Sequence, residues 1–92
     1  MELRPPHCLQ VYISGHCIGC AEAESLAREV AQRFPALRVE VIDVQQPDVR
    51  LPETVFATPT YLWDGKLYSL GNPSREVLVT MIAAYRAAEV DV

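Results

Sequence analysis

The residues best suited to chemistry are two cysteines separated by two residues, in the segment Cys17-Ile18-Gly19-Cys20. Two thiols at this spacing can close into a small disulfide ring and reopen, and thiolates are also soft ligands for metals. The pair follows an apolar, strand-like run and precedes a pattern with helical spacing. A thiol at a helix N-terminus is stabilised as the thiolate, because the first turn presents unpaired N–H groups and the positive end of the helix dipole. We therefore expect thiol chemistry at this junction.

The positions of the two cysteines predict different roles for them. We expect Cys17, at the first position of the motif, to be the exposed nucleophile. Cys20, one turn later and closer to the body of the protein, is expected to be the resolving thiol that breaks a mixed disulfide. His16 directly precedes the pair. If protonated it would favour the thiolate, and if neutral it could move a proton; the alternative is an exposed loop histidine without a role. Gly19 is expected to loosen the first helical turn.

The hydrophobic pattern predicts an α/β domain that covers residues 1–92, with a core at about 8–89. The order is β-α-β-loop-β-β-α, which gives a four-stranded mixed sheet flanked by helices. The predicted strands are 8–13, 37–44, 60–63 and 66–70, with a helix from Ile18 that Pro35 ends and a last helix that opens within 71–74. Asp64-Gly65 is a two-residue hairpin signal between the last two strands. Residues 45–57 contain two prolines and predict a loop with at most one or two helical turns.

The segment Thr58-Pro59-Thr60 opens the third predicted strand, a position where proline is tolerated. An ordinary trans proline is one interpretation. The other is a cis-proline loop that faces the cysteines, with neighbouring backbone free to pair with an extended substrate. A C-x-x-C motif elsewhere in the chain favours the cis-proline interpretation.

Taken together, these motifs resemble those of the thioredoxin/glutaredoxin superfamily over nearly the whole chain. The resemblance rests on the C-x-x-C at a strand-to-helix turn, Thr58-Pro59-Thr60, the Asp64-Gly65 hairpin and Gly71 before the last helix. It implies a dithiol–disulfide oxidoreductase in which Cys17 attacks, Cys20 resolves and Pro59 is cis.

The same resemblance implies that Thr58, Pro59, Gly71 and Asn72 border the substrate groove. The chain departs from the family where thioredoxins carry a buried aspartate, six residues before the first cysteine, because Val11 stands there. The usual proton acceptor for the resolving thiol is therefore missing.

Composition narrows the range of partners. The formal net charge is −4, and the eight basic residues form no run, which argues against nucleic acid and anionic membranes. No apolar stretch approaches a membrane span and no signal-peptide pattern is present, so we expect a cytoplasmic protein. Expected partners are a protein or glutathione-type disulfide substrate and a reductase or dithiol that recycles the pair. No cofactor is expected beyond the redox-active disulfide Cys17–Cys20.

Two alternatives stay open at this stage. The C-x-x-C could bind copper, or an iron–sulfur cluster shared across a dimer. One domain supplies no third thiolate, because Cys8 lies about a strand's length away and is expected to be a core thiol, but His16 or a second copy of the chain could contribute a ligand. The other alternative is a redox-inactive interaction module of the same fold. Tyr61 and Trp63, on a hairpin strand, are expected to pack in the core rather than to bind a ligand.

Overall fold

In the part of the chain that the structure describes, six elements follow one another in the order that the sequence predicts. The structure, a computed structural model, describes residues 7–90, with side chains described as far as Tyr85. The elements are β1 (Cys8–Ile13), α1 (Cys20–Arg33), β2 (Arg38–Asp43), β3 (Thr60–Trp63), β4 (Lys66–Leu70) and α2 (Arg75–Val90). The outermost residues of the predicted domain, 1–6 and 91–92, lie outside the described residues.

The four strands form one mixed sheet in the order β2-β1-β3-β4. Strands β1 and β2 are parallel and are joined through α1, as a parallel pair requires. Strand β3 runs antiparallel to both β1 and β4. The predicted α/β class and four-stranded mixed sheet are therefore confirmed.

Both helices pack on the same face of this sheet. Alternate residues of β1 and β3 point to that face, since side chains alternate along a strand. These side chains form a core cluster with residues of α1 and α2. The buried members of the cluster are each less than a tenth exposed: Leu9, Val11, Ala23, Leu26, Ala27, Val30, Leu37, Tyr61, Trp63, Leu78 and Ile82. On the opposite face, Tyr12 and Leu62 pack against Val55 from the loop that joins β2 to β3. This loop contains isolated turns and no helix, as predicted.

Local sequence signals account for the ends of these elements. Asp64 and Gly65 have φ angles of 51° and 82°, which suit the left-handed two-residue turn between β3 and β4. Helix α1 ends before Pro35, whose ring does not fit a helix interior. At the start of α2, the Ser74 hydroxyl accepts a hydrogen bond from the Val77 amide at 3.3 Å and caps the helix.

This topology brings three chain segments to one edge of the sheet. The end of β1 lies beside the start of β3, with Tyr12 opposite Thr60. The end of β4 lies on the other side of the same residue, with Leu70 opposite Thr60. The turn that leads into α1, the segment before β3 and the segment before α2 therefore meet at this edge.

Candidate active site

The two cysteines form a disulfide in the turn between β1 and α1. Their sulfur atoms are 2.01 Å apart and their Cα atoms 5.3 Å apart. The predicted helix start at Ile18 is wrong, because α1 begins at Cys20 and Cys17 lies in the preceding turn. Gly19 causes this displacement: its φ of 91° is left-handed, so the helix cannot extend back through it.

The two sulfurs differ in their exposure. Cys20 is 4% exposed and belongs to the protein interior, whereas Cys17 is only half-buried. The Ser14 amide donates a hydrogen bond to the Cys20 sulfur at 3.4 Å. An N–H group in this position stabilises negative charge on sulfur, so the buried cysteine has a donor beside it when it is a thiolate.

Thr58 and Pro59 lie next to this ring, and the peptide bond between them is cis. The Thr58 hydroxyl is 3.3 Å from the Ser14 hydroxyl, which links the segment before β3 to the turn that carries the cysteines. A Cβ built at Gly19 would lie 4.0 Å from the Pro59 ring. The proline that the sequence singled out is therefore brought to the disulfide.

The segment before α2 completes the site. The Gly71 amide donates to the Pro59 carbonyl at 2.8 Å, so this amide is already used within the protein. The Asn72 carboxamide donates from Nδ2 to the Gly19 carbonyl at 2.9 Å and accepts at Oδ1 from the Tyr61 hydroxyl at 2.7 Å. Asn72 thus contacts the disulfide ring itself, which the sequence did not predict.

The surface around the disulfide is largely apolar. Ile18, between the cysteines, is 98% exposed, and Phe56, on the loop before Thr58, is 75% exposed. An apolar pocket beside Thr58 is lined by Val44, Leu51 and residues 55–58. A partner that covers this surface would remove apolar area from water, which favours association.

His16 is exposed, and its predicted influence on Cys17 stays a prediction. Cys8 lies at the opposite end of β1 from the disulfide, where burial raises the pKa of its thiol. Among the described residues, no group of three or more histidine, cysteine or acidic side chains is arranged to hold a metal ion. Neither helix of this part of the chain is long and apolar enough to cross a membrane.

Two residues of the site were missed by sequence reasoning. Tyr61 was predicted to lie in the core, and it is fully buried, but its hydroxyl also holds Asn72. A tyrosine in a fully buried strand needs a hydrogen-bond partner, and this requirement was the available signal. Ser14 carried no comparable signal, because its contact with Cys20 is made by the backbone amide.

The sequence is similar to those of known thioredoxins. The family model of the thioredoxin domain matches residues 8–83. A thioredoxin of Methanocaldococcus jannaschii is 32% identical over 76 residues, which cover 80% of this chain and 89% of that protein.

Solved structures agree with this match at the level of the fold. The thioredoxin of Fasciola hepatica superimposes with a TM-score of 0.67 at 19% identity, covering 86% of this chain and 80% of that one. Mitochondrial thioredoxin 3 of Saccharomyces cerevisiae gives a TM-score of 0.65 at 22% identity, covering 85% and 77% of the two chains.

Proposed function

Because this chain belongs to the thioredoxin domain family, we propose that it is a thiol–disulfide oxidoreductase that works through Cys17 and Cys20. The observation that carries the proposal is the disulfide itself, which lies at the start of α1 with Cys17 partly exposed and Cys20 buried. Such an arrangement lets a substrate reach only one sulfur at a time, as stepwise disulfide exchange requires.

The proposed reaction consists of two exchange steps. In the first, the Cys17 thiolate attacks one sulfur of a substrate disulfide; a Cys17–substrate disulfide forms, and the other substrate sulfur leaves as a thiolate that takes up a proton. In the second, the Cys20 thiolate attacks the Cys17 sulfur; the Cys17–Cys20 disulfide forms, and the remaining substrate sulfur leaves as a thiolate. The substrate gains two electrons and the protein loses two, so no further cofactor is needed.

The exposures support this assignment of roles. Cys17 is the more accessible sulfur, as an attacking group must be. Cys20 receives the Ser14 amide hydrogen bond, which favours its thiolate in the second step. Val11 is fully buried in the core on the helix side of the sheet, so the position where thioredoxins carry an aspartate supplies no proton acceptor here. The backbone donor at Ser14 supplies electrostatic stabilisation of the thiolate without such a carboxylate.

The substrate groove in this proposal runs along Thr58, Pro59, Gly71 and Asn72. The exposed apolar side chains of Ile18 and Phe56 border it and suit a protein disulfide, since exposed apolar side chains bury more area against a polypeptide than against a small disulfide. A protein or glutathione-type disulfide is the proposed substrate class. The proposed recycling partner is a reductase or another dithiol, which returns two electrons to the pair. Cytoplasmic location stays a prediction from the sequence.

The test is turnover of a chromogenic aromatic disulfide, with dithiothreitol as the recycling reductant. Cys17→Ser should reduce turnover to the uncatalysed rate. Cys20→Ser that has been reduced and then freed of dithiothreitol should still attack the aromatic disulfide, and it should accumulate a mixed disulfide that mass spectrometry detects, because no resolving thiol remains. Cys8→Ser is the matched control and should keep wild-type turnover, since Cys8 lies at the far end of β1.

Cys17→Ser protein that is as active as wild type would refute the proposal. Near-stoichiometric metal bound through both thiols in anaerobically purified protein would also count against it and would favour the metal-binding alternative.

A further inference from the structure

A continuous chain of hydrogen bonds links the buried core to the disulfide ring. It runs from the Tyr61 hydroxyl to Asn72 Oδ1 and from Asn72 Nδ2 to the Gly19 carbonyl, and we call these three residues the Asn72 bridge. The orientation of the carboxamide follows from chemistry, because the Gly19 carbonyl can only accept and must therefore face the NH₂ group. The Tyr61 hydroxyl then faces the carboxamide oxygen, to which it donates.

The core end of the Asn72 bridge lies in the protein interior. Tyr61 is fully buried on β3, between β1 and β4. Burial raises the pKa of Tyr61, with a further contribution from the charge of Glu22, so the hydroxyl stays protonated and remains a donor at physiological pH. A side chain in this position cannot reach a substrate, and its hydroxyl is connected to the disulfide ring through Asn72.

The other end of the bridge is the middle of the disulfide ring. Gly19 precedes α1 and has no side chain to cap the helix. Its carbonyl accepts the first helical hydrogen bond, from the Ala23 amide at 3.0 Å, and also the bond from Asn72. A Cβ at Gly19 would lie 3.1 Å from Asn72 Nδ2, so the absence of a side chain is what admits the carboxamide. The Asn72 bridge therefore holds the residue whose conformation sets the separation of Cys17 and Cys20.

We propose that Asn72, oriented by Tyr61, is a positioning residue that keeps the segment between Cys17 and Cys20 in its ring-closed conformation, so that the dithiol is pre-organised to form the disulfide. This inference rests on the proposed function only for its consequence in catalysis. A segment that is already fixed loses less conformational entropy when the ring closes. The Asn72 bridge thus favours the disulfide over the dithiol and speeds the second exchange step, in which Cys20 attacks the Cys17 sulfur.

The test uses three variants that add no charge: Tyr61→Phe, Asn72→Ala and the double variant. Tyr68→Phe is the matched control, because Tyr68 is a half-buried tyrosine of β4 outside the bridge. The ratio of disulfide to dithiol is measured for each folded protein in dithiothreitol buffers by thiol trapping and mass spectrometry. Urea unfolding of each variant is measured in parallel, because a purely structural role would change stability without changing this ratio.

Asn72→Ala should lower the equilibrium constant for disulfide formation about tenfold, which corresponds to a potential about 30 mV less negative for a two-electron couple. Tyr61→Phe should change it in the same direction by severalfold, since the carboxamide is then no longer held in place. The double variant should match Asn72→Ala, because both substitutions remove one chain of bonds. Tyr68→Phe should keep the wild-type ratio.

The proposal is overturned if Tyr61→Phe and Asn72→Ala both stay within twofold of wild type, or if their effects multiply in the double variant. The measurement needs no substrate, so its outcome is independent of turnover. A shifted ratio in a protein that turns over no disulfide would sustain the inference and refute the proposed function alone. Normal turnover with unshifted ratios would sustain the proposed function and refute this inference alone.

Discussion

Gly19→Ala is expected to destabilise the folded protein in two ways, through backbone strain and through contact with the Asn72 carboxamide. An alanine at a φ of 91° pays about 1–2 kcal/mol relative to glycine, because its Cβ approaches the neighbouring carbonyl in the left-handed region. The new Cβ would also lie 3.1 Å from Asn72 Nδ2 and would displace the carboxamide. Loss of a neutral hydrogen bond costs about 1 kcal/mol, so the total expected loss in the free energy of unfolding is about 2–3 kcal/mol.

The chain offers a matched control for this substitution at Gly65. Its φ of 82° is also left-handed, and a Cβ there would meet nothing within 4 Å. Gly65→Ala should therefore cost only the backbone strain of about 1–2 kcal/mol. The difference between the two variants isolates the contact with Asn72.

The assay is urea unfolding of the oxidised proteins at 25 °C. In the Asn72→Ala background, Gly19→Ala should cost no more than Gly65→Ala, since the carboxamide that the new Cβ would meet is gone. The reasoning is refuted if Gly19→Ala destabilises the wild-type protein no more than Gly65→Ala does. It is equally refuted if its cost is unchanged when Asn72 is alanine.

Two further predictions concern the helices. Leu78→Ala should lower the free energy of unfolding by about 3 kcal/mol because Leu78 is fully buried. Val77→Ala is the control, because Val77 is exposed. Equal losses for the two variants in urea unfolding would contradict the expectation. The Arg75 hydrogen bond, aided by the charges of Arg75 and Arg33, lowers the pKa of Glu29 below its usual 4.5. The ionised Glu29 carboxylate therefore stabilises the folded protein fully above pH 4.5, and this stabilisation is lost as the pH falls through the lowered pKa. The free energy of unfolding of wild type should exceed that of Glu29→Gln most near neutral pH, and this difference should vanish in acid. A difference that stays constant between neutral and acidic pH would rule out this origin.

The strands were the most predictable part of the fold. The strands β1, β3 and β4 have the predicted bounds, and β2 is one residue shorter at each end than predicted. Continuous apolar runs predicted β1 and β3, and these signals survive because the sheet buries many of the residues that carry them. Asp64 and Gly65 are exposed, and their signal survives because both adopt the left-handed φ angles that the two-residue turn needs.

The first helix shows where local reasoning fails. Its apolar spacing predicted a start at Ile18, but the helix begins at Cys20 because Gly19 adopts a left-handed φ. The pattern gives no hint of this conformation, since a glycine near a helix start is compatible with several backbone angles. Asn72, which fixes the Gly19 carbonyl, lies 53 residues further along the chain.

The sequence by itself determined the family, the order of the elements and the pair of cysteines that can exchange a disulfide. These features depend on residue types and on spacings within one segment, which the unfolded chain already possesses. Only the tertiary structure decided that the Ser14 amide faces Cys20 and that Tyr61 and Asn72 hold the ring. The Ser14–Cys20 contact joins residues only six positions apart, but it depends on the left-handed backbone at Gly19. The contact between Asn72 and Gly19 joins segments that are distant along the chain, and it exists only once the strand order has brought three chain segments to one edge of the sheet.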